Sequence, residues 1–317
     1  MKWFCVFIFI AGLGLSSLTA NNRLTSGFEY LRTDFSPRTT ALSGAFVAVN
    51  GDLSAMFFNP AGLATVNQKQ FTFNYTNYLL DINGGMAAYA QRFESLGVLS
   101  IGLVYMNYGE FQQTDENANP MDNTFSANDI ALGLGIANHL DDHFSYGLNF
   151  KYAFSQIHDY NASAVALDFG ILYAAPFEEN LNIAFKVTNI GSNFKYYQST
   201  KEALPLSMSL GFSKVLAHLP LEIAASLNDI NMQADDLLGR LKRFSIGGEF
   251  RLSELLRLRL GYNNALNRNF AETGNEKFGG ISGGLGVYWK NLQFDYAYSS
   301  FSLLGGVHRF GITGSLD

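Results

Sequence analysis

The feature that most constrains this chain is strict two-residue alternation, which recurs from about residue 69 to the end. Leu99, Ile101, Leu103 and Tyr105 alternate with Ser100, Gly102 and Val104. Tyr146, Leu148, Phe150, Tyr152 and Phe154 alternate with Gly147, Asn149, Lys151, Ala153 and Ser155. Leu256, Leu258, Leu260 and Tyr262 enclose Arg257 and Arg259. Successive side chains of a strand point to opposite faces, so such segments predict strands with one apolar and one small or polar face. Fourteen segments follow this rule, at 69–79, 83–93, 97–107, 127–139, 143–156, 161–174, 180–190, 205–215, 219–229, 243–252, 255–264, 279–289, 291–299 and 306–316. A tilted strand crosses a bilayer in about 9–11 residues, which each segment supplies. The number is even, as in bacterial single-chain barrels.

Composition decides between membrane and water. Charged residues make up 15% of the chain, against about 25% in soluble domains. Aromatics also reach 15%, and there are 31 glycines. Mean hydropathy is nevertheless only +0.05, which suits a wall with one face in lipid and one facing inward. After residue 20 no apolar run approaches the roughly 18 residues of a transmembrane helix. A membrane location therefore requires a closed barrel, because open sheet edges do not survive in lipid.

The links point the same way. Short ones at 94–96, 140–142, 175–179, 217–218, 253–254 and 290 alternate with mostly longer polar ones at 108–126, 191–204, 230–242 and 265–278. Short turns on one side and long loops on the other are the rule for outer-membrane barrels, and a soluble sandwich has no reason to keep that asymmetry. The net charge of −6 excludes a nucleic-acid partner, which would need a basic footprint.

Residues 1–20 read as a secretory leader: Lys2, an apolar stretch from Trp3 to Leu15, and a small-residue exit ending at Ala20. The only cysteine, Cys5, falls inside it, leaving no disulfide or thiol chemistry beyond. Residues 21–66 do not alternate and are too polar to face lipid, so they are expected to form a plug inside the barrel of residues 67–317. The fold expected is all-β: a fourteen-stranded antiparallel transmembrane barrel with an N-terminal plug, in the bacterial outer membrane.

Within residues 21–66, Ser43-Gly44-Ala45-Phe46-Val47-Ala48-Val49 and Ser54-Ala55-Met56-Phe57-Phe58-Asn59-Pro60-Ala61-Gly62-Leu63-Ala64 resemble the start of the PorV/PorQ family. That family belongs to the wider group of fatty-acid-transporter-like barrels. The resemblance implies fourteen strands and an N-terminal hatch whose Asn-Pro-Ala turn corresponds to Asn59, Pro60 and Ala61. Later segments, among them Tyr146–Tyr152, Leu204–Lys214, Leu258–Asn263 and Asp295–Tyr298, resemble the PorQ branch more closely. The family implies a part in type IX secretion and surface attachment, with secretion or attachment proteins as partners. The wider group implies an alternative: passive passage of fatty acids or other hydrophobic molecules through the lumen.

Catalytic motifs do not hold together. Gly280-Ile281-Ser282-Gly283-Gly284 fits G-x-S-x-G, followed by Asp295 and His308, but that motif needs a strand–turn–helix elbow, and here it continues as strand. His308 also has the outward parity of Phe310. Gly133-Leu134-Gly135 has no third glycine and opens no helix, so a dinucleotide loop is not expected. His139, His143, His158, His218 and His308 are scattered. No enzyme activity, cofactor or metal is expected.

Parity instead assigns Lys151, Asp168, Glu249, Arg257, Arg259, Asp295 and Arg309 to the lumen. At the lipid midplane an Arg or Lys would cost about 2–4 kcal/mol. Their expected role is to pair with one another and with the plug, with a substrate path as the lesser alternative. Tyr75, Tyr78, Tyr105, Tyr196, Tyr197, Trp289 and Tyr298 lie near strand ends and are expected in interfacial girdles. Length and polarity point to Asp115 and Glu116 in loop 108–126, and Asn267 and Arg268 in loop 265–278, as partner contacts.

Overall fold

The computed structural model describes residues 26–197, 202–232, 237–271 and 278–316; the leader expected over residues 1–20 lies outside them. Fourteen strands follow in sequence: β1 (Lys69–Asn77), β2 (Asn83–Phe93), β3 (Gly97–Thr114), β4 (Pro120–His139), β5 (Phe144–Ile157), β6 (Tyr160–Ala174) and β7 (Leu181–Lys195). The second half comprises β8 (Ser207–Val215), β9 (Leu221–Leu227), β10 (Phe244–Arg251), β11 (Leu256–Asn263), β12 (Ile281–Trp289), β13 (Leu292–Ser300) and β14 (Gly306–Leu316). Each strand pairs antiparallel with its sequence neighbours, and β1 pairs with β14 from Lys69↔Leu316 to Asn77↔His308, which closes the barrel. Every strand thus has a neighbour on both sides, which is what a hydrocarbon surrounding demands.

The alternation has its physical counterpart in burial. On β5, Leu148, Phe150 and Tyr152 face out, whereas Gly147, Asn149, Lys151 and Ala153 are buried. The expected strand ends hold to within two residues except on β3, β4 and β7, which run on. Residues 108–126, read from sequence as a loop, are mostly a β3–β4 hairpin tipped by a turn at 115–119. A strand projecting past the membrane needs no apolar outward face, so its alternation fades while its backbone pairing continues. The ladder slips between Asn107 and Glu110, beside Gly109 at φ 81°, a bulge of the kind that re-aims a strand.

Residues 26–66 form short helical turns at Glu29–Arg32, Pro37–Ala41, Ala55–Phe58 and Pro60–Thr65. They pack against inward-facing wall residues in several clusters. Leu53, Met56, Leu63 and Val66 meet Ala88, Ala90, Val98 and Ala137 near the short-turn end. Leu42, Phe46 and Val49 meet Ala224, and Val47 and Ala48 meet Leu172 and Ala184.

The wall is shaped for this approach. A Cβ on Gly147 would lie 2.2 Å from the Pro60 carbonyl carbon and 2.5 Å from the Ala61 nitrogen; one on Gly261 would lie 2.4 Å from the Leu42 carbonyl carbon. These are backbone atoms, unable to swing aside as a flexible side chain could. The inward glycines thus mark the footprint of the N-terminal segment on the wall. Gly147→Ala is expected to push Pro60 off β5 and lower stability by about 1–3 kcal/mol. Urea unfolding of the refolded barrel in detergent measures this; an unchanged midpoint would contradict the packing described.

Candidate functional site

The chemistry of this protein lies inside the barrel, where the wall and the N-terminal segment meet. Asn59 precedes the turn Pro60–Thr65; its side-chain oxygen accepts from the Ala61 N–H at 3.2 Å, capping that turn. Its amide donates to the Val47 carbonyl at 2.6 Å, tying two stretches of the segment together. Pro60 fits the first helical position because it has no N–H to leave unpaired. Wall side chains hold the same region by its backbone: Asn149 donates to the Met56 carbonyl at 3.0 Å, Arg92 to the Val66 carbonyl at 3.1 Å and Ser213 to the Ala48 carbonyl at 2.9 Å.

Three of the sequence-predicted lumen charges meet in one network. Glu249 on β10 stands across from Arg259 on β11 in register, and their side chains are ion-paired. Arg259 also binds Asp295 on β13. Arg38, from the N-terminal segment, completes the set at 3.0 Å from Glu249 and 3.3 Å from Asp52. Each of these groups is almost wholly buried, and the guanidinium of Arg259 is fully so. Buried charges are tolerable only when each finds a partner, and removing one partner typically costs far more than a surface pair is worth.

Lys151 and Asp168 form a separate pair at 2.8 Å, and the Asp168 carboxylate also accepts from the Asn189 N–H at 2.8 Å. Arg309 donates to the Asp34 carbonyl at 2.8 Å and to the Ser299 hydroxyl at 3.0 Å. Arg257 shares the parity of Arg259 but lies at the rim. There it bonds the Ser253 carbonyl and covers the Tyr288 ring at 4.7 Å, outside the network.

Sequence reasoning missed Arg38, Asp52 and Asp34, because a segment without periodicity gives no parity from which to assign a face. Lys186 and Glu222 were legible by parity, since both sit at inward positions of their strands. Among the tyrosines, Tyr75, Tyr105 and Tyr298 face outward with Trp289. Tyr78 and Tyr197 do not: Tyr78 lines the interior cavity, and the Tyr197 hydroxyl bonds Ser155 on the inner wall. A position near a strand end gives height in the membrane, not the direction of the side chain.

That cavity has a volume of about 530 Å³ and lies between the N-terminal segment and the long-loop end. Aromatic residues Tyr30, Phe57, Phe58 and Tyr78 contribute to its lining, as do Thr188, Ser209, Lys186 and Arg309. Ser282 lines it too, while Asp295 is bound to Arg259. His308 lies outward, hydrogen-bonded to the Tyr296 hydroxyl at 2.9 Å. The three residues of the G-x-S-x-G reading are therefore split between two faces of the wall.

The four loop residues do not form one patch. Asp115 and Glu116 tip the β3–β4 hairpin, while Asn267 and Arg268 sit on the helix Asn264–Ala271 between β11 and β12, across the ring of strands. Asp115 ties its own turn, accepting from Asn119 side chain and backbone at 3.0 and 2.8 Å and from the Asn117 N–H at 2.9 Å. Those bonds, that of the Asn119 side chain foremost, hold its carboxyl below the usual carboxylate range. Asn267 is likewise internal, donating to the Gly279 carbonyl at 2.9 Å. Glu116 and Arg268 are exposed.

The family profile of PorV, described as type IX secretion system protein PorV, matches residues 17–227. It ends before the later stretches that resemble the PorQ branch, Leu258–Asn263 and Asp295–Tyr298. No curated protein matches the sequence. Among solved structures, the Ralstonia pickettii toluene transporter TbuX is similar at TM-score 0.61 and 12% identity, over 89% of this chain and 98% of that one. The Pseudomonas putida toluene transporter TodX is similar at TM-score 0.56 and 12% identity, over 87% and 95%. A Pseudomonas aeruginosa FadL homologue is similar at TM-score 0.53 and 12% identity, over 88% and 98%. At such identities the likeness shows a shared barrel fold.

Glu249→Gln is expected to destabilise the barrel by about 1–3 kcal/mol, because it removes the carboxylate that Arg38 and Arg259 share and leaves each with one acidic partner, Asp52 and Asp295. Arg257→Ala at the rim is expected to cost under about 1 kcal/mol. Chemical unfolding of both variants beside the parent checks the contrast, and equal losses would refute the network assignment.

Proposed function

The chain belongs to the PorV family of type IX secretion system proteins and is an integral protein of the bacterial outer membrane; from that premise we propose that it is a non-enzymatic component of protein secretion and surface attachment that docks partner proteins at its long-loop end. The observation that carries this reading is the β3–β4 hairpin. Its strands have 18 and 20 residues, where a crossing takes about 9–11. The excess extends the hairpin past the wall by roughly 20 Å. On it, Phe111 and Met121 are exposed, and Phe111 stacks on Phe125, whose ring meets His158 edge-on. Exposed aromatic and methionine side chains beside the acidic tip at Asp115 and Glu116 make a protein-contact surface in water. Arg268, on the far side of the mouth, is a separate contact.

In the same reading, residues 21–66 are a plug and residues 67–317 the barrel that carries it. Packing of the segment against the wall near the short-turn end supports an anchor role, since it leaves no room for a folded cargo to pass through the lumen. The lumen charges then hold the plug in place.

The second reading, passive uptake of fatty acids or other hydrophobic molecules, draws on the fold shared with the hydrocarbon transporters. A buried ionic network across the interior is poor lining for such a path. Native mass spectrometry of the protein gently extracted from its own outer membrane tests both. A stoichiometric protein partner is expected, lost when residues 108–126 are replaced by a short turn while the barrel stays folded. A lone barrel carrying a fatty acid or hydrocarbon would overturn the docking reading in favour of transport.

A further inference from the structure

The cations around the interior cavity are not equally satisfied. Arg32 pairs with Asp229 at 3.3 Å, Lys151 with Asp168 at 2.8 Å, and Arg309 is held by Asp34 and Ser299. Lys186 differs. It is buried at an inward position of β7, lines the cavity, and its ammonium lies 3.7 Å from the centre of the Phe58 ring. It has no hydrogen-bond or ion-pair partner among the described residues.

Two further polar groups share that condition. Ser209 is the register partner of Lys186 on β8, and Thr188 is the next inward residue on β7. Both are buried, both line the cavity, and neither hydroxyl has a hydrogen-bond partner among the described residues. An ammonium and two hydroxyls that face the cavity without protein partners are free to bind what enters it. Phe57 and Phe58 from the N-terminal segment share the lining with Tyr30, and the Lys186 ammonium covers one face of Phe58. The carboxylates in the lining are already engaged, Asp34 by the Ser36 N–H and the Thr40 hydroxyl and Asp229 by Arg32 and Ser207, so the free cation and hydroxyls beside an aromatic side chain match a molecule with one negative charge, several hydroxyls and an apolar ring face.

We infer that this cavity is a binding site for a sugar acid of monosaccharide size, its carboxylate on Lys186, its hydroxyls on Thr188 and Ser209, and its apolar face against Phe57. The volume of about 530 Å³ lies in the range of small-molecule sites, about 300–1,000 Å³. Entry is from the long-loop end, where Tyr78, Asn228 and Phe301 line the cavity at the ends of their strands. The inference rests on the cavity alone and stands whether or not the docking reading holds.

Isothermal titration of the full chain in detergent, with glucuronate as the probe, tests it. Lys186→Met keeps the aliphatic bulk beside Phe58 and removes the charge; Thr188→Val keeps the shape and removes a hydroxyl. Saturable binding at one site per chain is expected, weakened about tenfold or more by Lys186→Met, the usual worth of a charge-assisted hydrogen bond, and less by Thr188→Val. Methyl glucoside, neutral but equally hydroxylated, should bind more weakly and be indifferent to Lys186→Met. Heat-modifiable mobility on gels confirms that each variant is folded; a Lys186→Met chain that fails this check is replaced by Lys186→Gln. Absence of saturable glucuronate binding, equal affinity in parent and lysine variant, or tighter binding of benzoate or laurate at the same site would overturn the inference.

Discussion

Closure of β1 onto β14 is the condition on which the rest of the molecule depends. In hydrocarbon an unpaired backbone N–H or C=O has no water to fall back on, so a sheet crosses a membrane only as a ring. Once the ring is closed, every strand has one face in lipid and one inside, and the two faces obey different rules. Outward positions such as Leu134, Leu148, Phe150 and Leu285 can be apolar of almost any shape. Inward positions must suit whatever fills the interior, and here that filling is largely the N-terminal segment of the same chain.

The interior is therefore a protein core turned inside out. Glycine and alanine line it where the segment comes closest, and charge appears where a partner stands opposite. Arg38 shows the interdependence: its ion pair with Glu249 requires both the barrel register that sets Glu249 beside Arg259 and the segment path that brings residue 38 to β10, while its pair with Asp52 lies within the segment. The barrel side alone sets two carboxylates, Glu249 and Asp295, around one arginine, Arg259; Arg38 supplies the second cation, so the network makes seating the segment and folding the barrel mutually supportive.

The barrel architecture is shared with hydrocarbon transporters, and one barrel can host unrelated roles. What separates the roles is the site. An apolar conduit and an ionic interior packed by the N-terminal segment are different solutions within one wall, and the projecting β3–β4 hairpin carries the exposed Phe111 and Met121 beyond the ring. The cavity beneath the long-loop end adds a third environment, part aromatic, part hydroxyl and part charged, apart from the lipid face and from the Arg38–Glu249–Arg259 network.

The barrel itself was legible in the sequence because its cause is local: a two-residue period reports which solvent each side chain meets, and fourteen repeats of it allow one membrane architecture. Inward placement of Lys151, Asp168, Glu249, Arg259, Asp295 and Arg309 followed from parity for the same reason. Parity assigns a face but not a partner, so Arg257 could be read as lumenal yet not as standing apart from the network that Arg259 joins. Likewise, the turn-tying role of Asp115 depended on a turn that no alternation marks, and the continuation of β3 and β4 on backbone pairing that survives after the apolar pattern ends. Residues 26–66, with no period of their own, take their path from the cavity that contains them. The sequence by itself determined the closed sheet and its two faces; which charges meet, and what the wall encloses, was decided only when strands far apart in the chain came round to one another.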